Sequence, residues 1–221
     1  MAFLMTTVME RGTGEPEIAR FLLQTAKLLE HTTLTKLQKE DAFKVTFGAL
    51  KYLLQCKDIH SRISRDMQAI ESEEKLKELE KNKEIPAVMN LERDCEIFLY
   101  AAKNFFRDIA MILNCSFGTS FENAIELAVR KNGKDGNVVA WARDKFGEQH
   151  PFFKFLESNQ QIVLEICQMR NAVEHPGGAS GTLEVKNYTY ENGRLSRPVW
   201  CRYVKTFSDG KIWGVRLQTQ S

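Results

Sequence analysis

The feature that most constrains this chain is a change of period. Up to Pro176 the apolar residues recur three and four positions apart, the spacing of one face of an α-helix. Beyond Gly181 they alternate with polar residues, the spacing of a half-buried strand. Pro176, Gly177 and Gly178 stand at the boundary, where proline cannot continue a helix and glycine supplies the turn after one. A chain of this kind packs helices first and then attaches a small sheet. The expected fold is mainly α: a helical bundle of about four main helices with a C-terminal three-stranded antiparallel β-meander, α+β overall. The expected division is residues 1–181 for the bundle and 182–221 for the meander.

Glu15-Pro16-Glu17 reads as a helix start, and Ile18, Phe21, Leu22, Ala26, Leu28 and Leu29 predict a first helix to about residue 31. A second begins near Leu37 and runs through Phe43, Phe47, Leu50 and Leu54. The i,i+4 pairs Glu71–Lys75 and Glu73–Lys77 support its extension into the charged stretch from Arg65 to Glu84. The third, over about residues 87–114, is apolar along more than one stripe, as suits a central helix, and carries Asn104, Arg107 and Asp108 as polar exceptions. Ser120 is the expected N-cap of a short helix to about Lys131, and a brief helix follows over Val138–Phe146. Pro151 opens the last helix, with Phe152, Leu156, Val163, Ile166, Met169 and Val173 as its stripe. Thr182–Tyr190, Leu195–Phe207 and Lys211–Leu217 are the expected strands. They turn at Asn192-Gly193 and Asp209-Gly210, with Pro198 at an edge or bulge.

The net charge of +2 conceals a split. Residues 182–221 hold seven Lys and Arg against three acids, so the tail is basic and the remainder mildly acidic. A basic tail suits a polyanionic partner or, equally, a soluble sheet surface. Five cysteines without a C-x-x-C or close Cys/His spacing argue against a disulfide framework and a zinc site. Reduced, buried thiols in a cytoplasmic protein are the expectation. With no basic n-region and few apolar residues, the N-terminal stretch is expected to be neither a signal peptide nor a membrane span.

The chemistry concentrates where the last helix stops, at Gln168-Met169-Arg170-Asn171-Ala172-Val173-Glu174-His175-Pro176. Arg170, Asn171 and His175 fall in its final turn, where unpaired carbonyls and the negative end of the dipole favour cations. Arg170 flanks the apolar stripe, whereas Asn171 and His175 point to roughly the opposite side. Either Arg170 pairs with Glu174 at i,i+4 and His175 caps the helix, or the pair faces a second subunit. A competing pair, Arg143 and His150, spans Gly147 and precedes Pro151, which places it across a helix break.

Arg170-Asn171 followed by His175 resembles the R-x4-H signature, with a polar residue after the arginine, of the HEPN superfamily of helical domains. The resemblance covers the helical part, most specifically residues 151–178, and leaves the meander outside. It implies a metal-independent endoribonuclease without cofactor, acting on RNA as a homodimer with facing motifs. In that role His175 is the general acid or base, Arg170 neutralises the phosphorane, and Asn171 orients the histidine or contacts the phosphate. A toxin or defence role, with an antitoxin or other regulatory partner, is a further implication. One branch of the family has a tyrosine two residues after the histidine; Gly177 stands there, so regulation through that residue is not implied. The rival function is a non-catalytic RNA-binding or protein-interaction module whose bundle only dimerises. Tyr188, Tyr190, Trp200, Arg202 and Trp213 bear on that choice: they either stack on unpaired bases or pack the sheet on the bundle.

Overall fold

The computed structural model describes residues 15–82, 84–130, 133–191, 194–204 and 214–215. The chain is mainly helical, with a small antiparallel strand region at its C-terminal end. Glu15 is extended and Pro16 sets the first helical turn, opening α1 (Pro16–Ile18). The backbone widens into a π-helical stretch, Ala19–Gln24, and continues as α2 (Thr25–Glu30), which ends at His31. Ile18, Phe21 and Leu22 of this run pack on Leu50 and Leu54 of α3 (Lys36–Ile70), and Lys57 of α3 donates to Glu17 at 2.7 Å. Thr35 and Gln38 form a reciprocal capping box at the start of α3. The extension into the charged stretch is interrupted at Glu71-Ser72, after which α4 (Glu73–Asn82) resumes.

Helix α5 (Leu91–Phe117) lies centrally, packed along α3 and along α7 (Pro151–Glu174). On the α3 side the buried Asp94 carboxylate receives both arms of Arg62, at 2.9 and 2.5 Å. On the other side Ala110 and Leu113 join Val138, Val139 and Ala142 of α6 (Asn137–Phe146), and Phe153, Leu156 and Val163 of α7, in the largest core. Trp141 packs at its edge against Phe117, Phe121 and Phe146.

The helix expected from Ser120 to Lys131 does not form. A single 3-10 turn, Ala124–Leu127, takes its place, boxed by Asn123 and Glu126 rather than capped by Ser120. Two constraints account for this. Asn114 holds the Phe121 backbone at both its N–H and its carbonyl, at 2.8 and 2.6 Å, in an extended loop. Gly136 then crosses the Glu126 and Ala128 carbonyls so closely that a Cβ on it would lie 2.3 Å from the first.

The strand region also departs from three long strands. β1 (Thr182–Lys186) pairs antiparallel with β4 (Val199–Tyr203), and β5 (Gly214–Val215) pairs with the end of β4. A separate two-stranded ribbon, β2 (Thr189–Glu191) with β3 (Arg194–Ser196), forms the far end. The breaks fall where the ladder loses partners. Pro198 has no N–H to give, and Asn187 turns aside to bond both the N–H and the carbonyl of Val88, at 2.9 and 2.8 Å. Beside it the buried Tyr188 hydroxyl donates to Glu71 at 2.8 Å, and Arg197 reaches the same carboxylate. Burial and that carboxylate both push the Tyr188 phenol well above its usual range. The sheet is thereby fastened to the turn between α3 and α4 and to the segment entering α5. Turns at Asn192-Gly193 and Asp209-Gly210, and Trp213, lie outside the described residues. Among the described residues no helix is long and apolar enough to cross a membrane.

Gly181 joins helix to sheet: its φ is +85° and a Cβ on it would lie 2.0 Å from the Tyr203 carbonyl oxygen. Gly177 has a similar φ of +78° with open space around it. Gly177→Ala should therefore cost only the left-handed backbone penalty, about 1 kcal/mol. Gly181→Ala should cost at least twice as much, because β4 must also move. Urea unfolding of the two variants measures the difference.

Candidate functional site

The buried line of α7 runs Phe153, Leu156, Gln160, Val163 and Cys167, with Ile166 beside it. The same spacing continues through Arg170 and Glu174. Arg170 therefore flanks the buried face of α7 and lies in the groove between α7 and α5. Leu156, Val163 and Ile166 of the stripe expected from hydrophobicity are buried, Phe152 packs against the core, and the buried face also takes in Gln160 and Cys167. Gln160 is accommodated by bonds to the Gly136 N–H and to Asp135, at 3.1 and 2.8 Å.

Within the groove the Arg170 guanidinium lies over the Tyr100 ring, 4.8 Å from its centre, and forms an ion pair with Glu174. The two charged side chains are 21% and 20% exposed. The i,i+4 pairing of Arg170 with Glu174 is thus present. Its geometry leaves the Arg170 Nε–H buried without a partner among the described residues.

Asn171, expected to point away from the bundle, instead faces α5. Its side-chain oxygen accepts from Lys103 Nζ at 3.0 Å. Burial, and next the positive charge of Arg170, hold the Lys103 amine below its ordinary range. Of the two half-buried cations, Arg170 pairs with the Glu174 carboxylate and Lys103 with the Asn171 amide oxygen. Cys167 beside them is no ready nucleophile, since burial pushes its thiol up against the pull of both cations.

His175 is where the chain leaves the helix, with φ −132° and ψ 68°. Its N–H still bonds the Asn171 carbonyl at 2.9 Å, and its carbonyl accepts from Gly178 at 3.0 Å. Gly177 bonds the Gly181 carbonyl and the Thr182 hydroxyl, and Arg202 donates to the Ser180 carbonyl, all at 3.0 Å. The backbone beneath His175 is therefore fixed on every side. The imidazole itself is exposed and makes no hydrogen bond or ion pair among the described residues. In one copy of the chain Arg170 points into the groove and His175 into solvent.

The other sequence candidates have structural partners. Arg143 pairs with Asp135 and stacks over Phe153, while His150 lies on the Phe146 ring and its Nδ1 accepts the Phe152 N–H at 3.2 Å. Arg107 bonds Asp108, whose carboxylate sits against Gly48 of α3. Asn104 makes no side-chain hydrogen bond among the described residues. Trp200 packs edge-on against Phe98 and Tyr188 is buried, so both fasten the sheet; Tyr190 stays exposed.

Tyr100 and Lys103 were not singled out from sequence. The available signal was a lysine three residues after a tyrosine within the otherwise apolar run of the central helix. Among the described residues no group of three or more His, Cys, Asp or Glu side chains is placed to hold a metal ion. A cavity of about 590 Å³ lies elsewhere, between α2 and the start of α3, lined by Ala26, Leu29 and Phe43 with Lys39, Glu40 and Lys44 at its rim. Compared with protein families, curated proteins and solved structures, the chain matches none of them.

The stacked pair can be tested directly. In a double-mutant cycle of Tyr100→Leu and Arg170→Met, the coupling between the two should be about 0.5–1 kcal/mol, as for a part-exposed cation–π contact. A coupling indistinguishable from zero would place the guanidinium elsewhere in solution.

Proposed function

We propose that the chain is a metal-independent endoribonuclease of the HEPN type, working as a homodimer in which the two copies present their α7 ends to each other. The observation that supports this most is the clustering of Arg170, Lys103 and an unencumbered His175 at one end of α7. Cations with planar or point-charge donors suit a phosphodiester, and an exposed imidazole on a fixed backbone suits proton transfer to a ligand from outside.

The substrate supplies its own nucleophile. Its 2′-oxygen attacks the adjacent phosphorus as His175 takes the hydroxyl proton. The bond from phosphorus to the 5′-oxygen breaks as that oxygen takes a proton from solvent water, and the protonated His175 afterwards returns its proton to solvent. The products are a 2′,3′-cyclic phosphate and a 5′-hydroxyl, which restricts the reaction to RNA. Arg170 neutralises charge on the phosphorane. Asn171 fixes the His175 backbone through its carbonyl and positions Lys103 through its amide oxygen. Because Arg170 and His175 face different ways in one copy, the reading combines Arg170 of one protomer with the histidine of its partner.

A second reading, a non-catalytic RNA-binding or protein-interaction module, is favoured by the existing engagement of Arg170 with Glu174 and Tyr100, which suffices as a structural ion pair.

Incubating a mixed RNA pool with the protein in EDTA separates the two. Wild type should leave 2′,3′-cyclic phosphate ends. His175→Ala and Arg170→Ala should each lose at least about 100-fold in rate, the usual contribution of an acid–base or charge-stabilising group, with folding checked by circular dichroism. Cleavage that persists unchanged in both variants refutes the site assignment, and an inert wild type that still binds RNA favours the second reading.

A further inference from the structure

We propose that the groove formed by Tyr100, Lys103 and Arg170 is a binding site for one phosphodiester group of a single RNA strand, and that the Glu174 carboxylate holds the anion position until the phosphate displaces it. The ribonuclease reading is needed here only for the identity of the polyanion.

The charge balance points to an exchangeable anion. Arg170 and Lys103 approach each other from facing helices, yet among the described residues the ion pair to Glu174 is the only carboxylate contact the two cations make. Lys103 spends one N–H on the neutral Asn171 amide and has further donors to give. Among the described residues Arg170 has no partner for its buried Nε–H, a cost that an acceptor with better-placed oxygens would remove. A phosphodiester has two charged oxygens spaced for the planar guanidinium fork, which a carboxylate on the same helix cannot approach in the same way.

Glu174 is also poorly held. It is the last residue of α7, where the negative end of the helix dipole opposes a carboxylate. An i,i+4 pair on one helix also holds its carboxylate in a single geometry that neighbouring elements do not reinforce, since Arg170 is the only cation that Glu174 meets among the described residues. The groove is reachable from outside, because Tyr100, which forms its floor, is 38% exposed. Displacing Glu174 leaves Arg170 supported by the ring face, so the guanidinium need not be re-ordered when the phosphate arrives.

The test uses a fluorescent 2′-O-methyl RNA oligomer, which lacks the attacking hydroxyl and so reports binding alone. Its affinity is measured by anisotropy across a salt series for wild type, Glu174→Gln, Lys103→Met and Glu157→Gln. The last removes an exposed carboxylate from the same helix and controls for net charge. Glu174→Gln should bind several-fold tighter than Glu157→Gln. Lys103→Met should weaken binding and lower the dependence of log affinity on log salt by about 0.7, one phosphate contact on a single strand. Thermal melting verifies that each variant is folded. Binding by Glu174→Gln no tighter than by Glu157→Gln, or by Lys103→Met equal to wild type, overturns the proposal. Loss of cleavage activity with this binding pattern intact sinks the ribonuclease reading and leaves the phosphate site standing. Cleavage that depends on His175 while Glu174→Gln and Lys103→Met bind like their controls sinks the phosphate site alone.

Discussion

Helix α5 is buried against α3 on one side and against α7 on the other, and the rest of the molecule is arranged by that double packing. A helix so placed must be apolar on two faces, and any polar group it carries needs a partner from a neighbour. Asp94 finds Arg62 of α3, whereas Asp108 is met by Arg107 of α5 itself, where Gly48 of α3 makes room for the carboxylate. On the other face Lys103 finds Asn171, and Tyr100 receives Arg170. The first two pairings face the helix that only supports α5. The second two face the helix that ends in His175, and they bring charge to a surface that solvent can reach.

The way α7 ends matters as much as how it packs. Pro176 forbids another turn, and the short loop from Gly177 to Gly181 closes on itself before β1 begins. Arg202 from β4 grips that loop at Ser180. The sheet thus serves as a brace: Asn187 and Tyr188 pin one end of it to the segments flanking α4, and Gly181 passes under β4 at the other. His175 gains a rigid backbone and a free ring from this arrangement, which is what a group that acts on an incoming ligand requires.

How much of this was legible in the chain depends on what carried the information. The long helices were readable because Phe, Leu and Ile recur at helical spacing over many turns, and Pro16, Pro151 and Pro176 mark three of their ends. The loss of the helix after Ser120 was not readable, since it follows from Asn114 gripping a backbone seven residues on and from Gly136 crossing later in the chain. The splitting of the strands depended on Asn187 meeting Val88, a bond spanning 99 residues that local patterning cannot report. The pairing of Arg170 with Glu174 was one of two alternatives the sequence left open, and the direction of Asn171 was not legible. A seam holding Gln160 and Cys167 looks like a polar edge until Asp135 and Gly136 are seen to satisfy the glutamine. The same misreading hid Lys103, which becomes visible only once Asn171 is turned toward α5.

The central claim is that Arg170 in its groove and His175 in solvent act together although one copy of the chain points them apart. The most direct measurement mixes His175→Ala and Arg170→Ala proteins after each is dissociated, so that mixed dimers form on reassociation. Every mixed dimer then contains one site with both residues intact, contributed by different protomers. The account predicts that RNA cleavage, absent from either variant alone, returns in the mixture. A mixture as inert as its components, beside an active wild type, would contradict it.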